Sequence, residues 1–274
     1  FGPDEYQGWG DFAWYDTVDF INSKNNFMAL AQELGVDVPV TLCFDSVTDI
    51  GPAVVRDMSY PCYLKAAFSV SGVGIYRCED TAELLANLGN FDKDIPVQLQ
   101  EEVTSDIFLN LLYQVVGDRV ERLTASEQIL DGFAHQGNRV PACCEPWSSV
   151  DAMAVWLKDH GMKDIFAFDV AVMQTENGLR FPAIECNPRY NGASYPALLA
   201  RKLNIPEWTA LTFETAHRSL RTIDLGEIEY DSNSGEGAII VNWGTVLAGR
   251  LVILLAGSQA YQEALKIELH ARLC

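Results

Sequence analysis

The sequence predicts an α+β fold built from antiparallel hairpins, on three observations. Short apolar runs with period-two alternation recur between turns that carry Gly or Asn. Helical patterns fall between these runs, without the regular strand–helix alternation of a doubly wound sheet. Of the 274 residues, 49% are apolar, which is ample material for a core.

The elements follow in order. Phe27, Leu30, Ala31 and Leu34 recur at helical spacing, and Gly35 supplies a stop. An extended segment follows over 36–44, then helices near 46–57 and 81–89, the second capped by Asp80 or Thr81. Between them, 60–68 and 75–78 read as a hairpin around the small-residue stretch SVSGVG. Strands are expected over 96–103, 107–116 and 119–126, with a turn at Gly117-Asp118. A loop over 131–147 leads to a helix near 148–160. In the strand 165–173, Phe166, Phe168, Val170 and Val172 line one side, and Ala167, Asp169 and Ala171 the other. Asn177-Gly178 signals a hairpin into 180–185. Helices fit 195–203 and 206–219, strands 237–242 and 250–255, and a last amphipathic helix 258–273.

The formal charge of −19 disfavours a phosphate backbone as partner, so the expectation is no nucleic acid. The longest apolar run, LVILLAG, is strand-sized, and no membrane span is expected. The opening FGPDEYQGWG lacks the basic start and apolar stretch of a signal peptide and reads as the middle of a longer chain. Seven cysteines without CxxC spacing read as reduced thiols of a cytoplasmic protein. Cys143 and Cys144 are either two loop thiols or a metal or redox feature.

Four stretches carry chemistry. In 183-AIECNPRYNGAS-194, Glu185 and Asn187 project to one face of an extended strand, either as hard-cation ligands or with Glu185 in a surface ion pair with Arg189 beside a loop. Asp169 sits on the partner strand and can reach the same face. Lys65 precedes the loop 69–74, which is either a phosphate cradle with a lysine or an ordinary hairpin; it is not a P-loop. Glu101 and Glu102 end an apolar strand, as acceptors for an adenine amino group with Asp106 accepting from ribose hydroxyls, or as a solvated acidic strand end. Lys24 opens the first helix, as a phosphate lysine or a solvated residue.

Taken in order, a lysine, a lysine with a glycine loop, an acidic hinge, an Asp and E-x-N-P-R resemble the ATP-grasp superfamily over roughly 20–215. The match is specific at 60-YPCYLKAAFSVSGVGIYR-77 and from 165 to 194. The resemblance implies two α+β subdomains clasping ATP, a small C-terminal α/β extension, and an N-terminal domain missing or reduced. The implied division is 1–21 as remnant or linker, 22–96 and 97–216 as the two ATP-grasp subdomains, and 217–274 as the C-terminal subdomain. Lys24 and Lys65 match nucleotide lysines, and Ser69, Ser71, Gly72 and Gly74 the closing loop. Glu101, Glu102 and Val103 match the adenine hinge, and Asp106 the ribose acid. Glu185 and Asn187 match metal ligands for Mg2+, with Mn2+ as an alternative, and Arg189 and Lys65 the catalytic cations. The spacing common in the family points to Ala171 as third ligand. Asp169 lies two residues earlier, on the same face of a regular strand, so either the hairpin is longer by two and Asp169 takes that place, or the metal has one ligand fewer.

The implied function is an ATP-dependent ligase that activates a small-molecule carboxylate as an acylphosphate and passes it to an amine, releasing ADP and phosphate. Alternatives are a nucleotide-binding module with reduced catalysis, and a carboxylase- or kinase-type member with another acceptor. Residues 131–147 and Tyr190–Tyr195, with Gln128, are expected to help select substrates. The tail 237–274 packs on the core or forms a homodimer contact.

Overall fold

The structure is a computed structural model that describes residues 11–69, 74–132 and 134–273. The opening FGPDEYQGWG lies outside the described residues. Phe1–Leu123 with Pro146–Arg189 make one compact unit, and Thr124–Glu145 with Tyr190–Cys274 the other.

In the first unit, Asp11 caps helix α1 (Phe12–Asn22), accepting the Trp14 N–H at 3.3 Å. Ser23 ends α1 and caps α2 (Lys24–Glu33), accepting the Asn26 N–H. Strands β1 (Thr41–Phe44), β2 (Cys62–Ala66), β3 (Ile75–Cys78) and β4 (Val97–Glu101) form an antiparallel sheet in the order β1-β4-β2-β3. Helices α3 (Pro52–Asp57) and α4 (Thr81–Leu88) accompany it. The helix expected over 46–57 is two pieces: a 3-10 turn at Val47–Asp49 ends before Gly51, and Pro52 restarts the chain as α3. Proline lacks the N–H that would continue the first piece and suits the first turn of the second.

The pleat gives this sheet two different faces. Cys62, Leu64, Val97 and Leu99 point into a core with Val47, Ile50, Val55, Cys78 and Leu84. Each leucine there contributes about 1.5–3 kcal/mol through burial. The opposite face carries Thr41, Tyr63, Lys65, Gln98 and Gln100, brought side by side by the pairings Thr41↔Gln100↔Tyr63 and Gln98↔Lys65.

The same unit holds β5 (Phe108–Val116), from which Gly117 at φ 62° turns the chain into β6 (Arg119–Asp131), whose residues from Thr124 onward belong to the second unit. The next strand along the chain, β7 (Ala134–Val140), belongs to the second unit. Helix α5 (Asp151–Asp159) then leads to β8 (Asp164–Ala171). Strands β9 (Met173–Thr175) and β10 (Gly178–Arg180) form a small hairpin, and β11 (Ala183–Asn187) returns beside β8. Glu176 and Asn177 make the turn, one residue earlier than expected, with Gly178 at φ 107° opening the return strand. The strands neighbour one another in the order β11-β8-β5-β6. One face buries an aromatic cluster in which Tyr113 stacks on Phe166 at 5.5 Å and meets Phe168 edge-on at 5.8 Å.

In the second unit, β7 is followed by α6 (Ser194–Leu203), β12 (Trp208–Glu214), β13 (Gly237–Asn242), β14 (Arg250–Ala256) and α7 (Gln259–Leu273). The strand order is β7-β12-β14-β13, and α7 closes a core of Phe213, Leu251, Ile253, Leu255, Leu265 and Leu269. Two expectations are corrected here. The helix assigned to 206–219 is strand β12, since WTALTFE is rich in aromatic and β-branched residues and pairs on both edges, with β7 and β14. The loop assigned to 131–147 is strand from Ala134 to Val140. Gly137, read as a loop residue, marks a close backbone approach: a Cβ there would stand 2.0 Å from the Ala210 carbonyl oxygen.

Candidate active site

The geometry starts from one extra residue in β11. Ala183 pairs with Val170, but Glu185 pairs with Asp169, so Ile184 is accommodated as a bulge. In a regular ladder Asp169 would face Ile184, and Glu185 would project from the opposite side of the sheet. The bulge puts both carboxylates on one face. On the other edge of β8, Asn110 of β5 pairs with Asp169. Asn110, Asp169 and Glu185 thus form a row across three strands, with Asn187 one pleat further along β11.

Two amides hold Asp169. Asn110 Nδ2 donates to Oδ1 at 2.8 Å and Asn187 Nδ2 to Oδ2 at 3.0 Å. Burial, and then the charge of Glu185, push the Asp169 carboxyl up to about 7, against the pull of the two amides. Glu185 goes the other way. Burial would raise it, but Lys24, with Lys65 and Arg189 behind it, holds it below the usual carboxylate range.

The lysines are placed by backbone. The Lys24 N–H donates to the Ala67 carbonyl at 2.8 Å, tying the start of α2 to the chain just past Lys65. Both residues are buried, at 8% and 9% exposure. Lys24 Nζ lies 2.9 Å from Glu185 Oε2. Lys65 Nζ donates to Gln100 Oε1 at 2.6 Å and sits 5.5 Å from the centre of the Tyr63 ring. Burial lowers the Lys65 pKa to about 8, which the negative charge of Glu185 opposes and Lys24 assists. Arg189 is exposed. Its N–H donates to the Asn187 carbonyl, and its Nη1 to Asn22 Oδ1 at 3.0 Å.

The hinge acids are not brought to this row; each has a structural partner. Glu101 Oε1 accepts the Val40 N–H at 2.9 Å, and the Glu101 N–H donates to the Val40 carbonyl. Glu102 Oε1 accepts from Arg77 Nε at 2.5 Å and from the Tyr63 hydroxyl at 3.2 Å. Val103 is half-buried and Asp106 exposed on the connector into β5. Ser105 fixes that connector by donating to the carbonyls of Ile107 and Val172. Of the loop residues, Ser69 is half-buried and Gly74 takes φ 74°, while Ser71 and Gly72 lie outside the described residues.

Sequence reasoning passed over Asn110, Gln98 and Gln100. Their signal was available: each is an amide inside an apolar strand, and a buried amide needs partners. Both polar atoms of the Gln98 side chain, and Asn110 Oδ1, are buried without a partner. Two carboxylates and an amide sharing one face suit a hard divalent cation, which removes the repulsion between Asp169 and Glu185. Among the described residues no three His, Cys, Asp or Glu side chains form a metal cluster. Two carboxylates agree with Mg2+, which takes few protein ligands and completes its shell with phosphate and water.

No family model and no curated protein matches the chain. Solved structures do. Carboxyaminoimidazole ribonucleotide synthase from Aspergillus clavatus, complexed with ATP, is similar at TM-score 0.67 and 14% identity, over 95% of this chain and 75% of that one. N5-carboxyaminoimidazole ribonucleotide synthetase from Thermus thermophilus is similar at 0.64 and 17%, over 93% and 73%. L-amino acid ligase from Bacillus licheniformis is similar at 0.62 and 14%, over 93% and 72%. An α+β fold of this architecture defines a class, and the class is the ATP-grasp fold.

Proposed function

We propose that the protein is an ATP-dependent ligase that activates a small-molecule carboxylate as an acylphosphate and couples it to an amine. One observation carries this reading: two buried lysines and two carboxylates converge in one unit of an ATP-grasp fold. The Aspergillus clavatus neighbour holds ATP, and the Bacillus licheniformis neighbour is an amino acid ligase, which supports the substrate pair.

In this reading Lys24 and Lys65 bind nucleotide phosphates, and the loop 69–74 closes over them. Glu101, Glu102, Val103 and Asp106 border the nucleoside. Asp169, Glu185 and Asn187 would hold Mg2+, which when bound neutralises phosphate charge. Asn187 spends its donor end on Asp169, so its carbonyl oxygen is the ligating end. The Lys24–Glu185 pair opens as Lys24 turns to phosphate. Arg189 and Lys65 balance charge growing on the transferred group, so the chain supplies positioning and electrostatics rather than a covalent nucleophile.

The test is a phosphate-release screen of ATP with amino acids in pairs. The expected result is ADP and phosphate only with a productive pair, and none with Lys65→Ala. ATP binding without turnover across the panel favours a nucleotide-binding module, and a phosphorylated product without amide favours a kinase-type member.

A further inference from the structure

We propose that Cys143 and Cys144, within the segment expected to help select substrates, form a two-thiol chelate for a thiophilic Lewis acid, a chemistry that the ligase reading does not assign to them. Consecutive side chains on an extended segment point to opposite sides. Here the two sulfurs converge to 3.7 Å, and neither is in a disulfide. Cys143 is exposed and Cys144 half-buried, so the pair is reachable.

The segment is anchored to β6. The Cys143 N–H donates to Glu127 Oε1 at 2.7 Å. Glu127 is itself buried on β6 and accepts from Arg139 Nε at 2.5 Å on β7. Pro141 and Pro146 bracket the pair and restrict its backbone. The thiols are therefore organised before any ligand arrives, which favours two-point capture over one-point reaction. Burial, followed by Cys144 and Glu127, holds the Cys143 thiol up at about 12. A neutral thiol is a weak nucleophile alone. A Lewis acid that binds both sulfurs displaces both protons, and the net charge of −19 favours cationic ligands.

With a trivalent aryl arsenoxide the step balances without redox. Two As–S bonds form, two S–H bonds and the arsenic–oxygen bond break, and the oxygen leaves as water with the two thiol protons. With Cd2+, two Cd–S bonds form and two protons pass to solvent.

The experiment uses phenylarsine oxide on the full chain, with Cd2+ as second probe. The expected result is one equivalent of arsenical retained through a 2-mercaptoethanol wash and released by dithiothreitol. Its mass should map to the tryptic peptide 140–158 of the unmodified sequence. Cys143→Ser and Cys144→Ser should each bind about 100-fold more weakly, because the second contact is lost, while Cys43→Ser, which removes another exposed thiol, should bind as before. Peptide mapping needs no variant, so a misfolded mutant does not blunt the test. Failure of the native protein to retain the probe, a label elsewhere in the chain, or full retention by either single variant overturns the proposal.

Discussion

The hinge after β4 and the carboxylate row on β5, β8 and β11 both place two acids close together, and they use them in opposite ways. At the hinge, Glu101 accepts a backbone N–H and Glu102 pairs with Arg77, so both charges serve the local structure. In the row, Asp169 accepts from two neutral amides and stands beside Glu185, while Glu185 pairs with Lys24, so two carboxylates share one face where burial makes like charge costly. Under the proposed function, a cation takes the paired carboxylates of the row, whereas the hinge acids are already spent on a backbone N–H and on Arg77.

The largest effect is expected at Glu185. Glu185→Ala should abolish ATP-dependent phosphate release, a fall of about 1000-fold or more, and add Lys24 to the buried groups lacking an ionic partner. Asp169→Asn separates function from stability. Phosphate release should fall about 100-fold, the scale of losing one charged contact to the transition state. The metal-free protein should meanwhile melt about 2–4 °C higher, because a buried charge is removed; a lower melting temperature would show that the row is not strained. Asn110→Leu leaves every proposed ligand in place, yet should raise the Mg2+ concentration for half-saturation about 10–100-fold, read directly by Mn2+ binding as well as by turnover. Glu102→Gln sharpens the other side: the KM for ATP should move less than about fivefold, as for a partly exposed ion pair.

Much of this was legible in the sequence. Period-two alternation located β8 and β11, and with it the face shared by Glu185 and Asn187. Glycine and Asn turn signals located the hairpins. The rest depended on long-range pairing. Residues 206–219 contain a helical pattern, and the β-rich composition of Trp208–Glu214 is decided in favour of a strand by β7 and β14 on either side. Gly137 looks like a turn residue until Ala210 is placed against it. Asn110 sits in an otherwise apolar strand, and its role becomes visible only when β8 lies alongside. The bulge at Ile184 has no local signature, and it decides which side of the sheet Glu185 occupies.

The small β9–β10 hairpin has a practical consequence. It lies in the chain between the two carboxylates, beyond the rungs at which β8 and β11 pair, so its length can change while those rungs stay matched. A search pattern with a fixed gap between the two acids would therefore overlook relatives that a cross-strand contact pattern would retrieve. The turn at Glu176–Asn177 is, for the same reason, a suitable place to insert a peptide tag or a fluorophore attachment point.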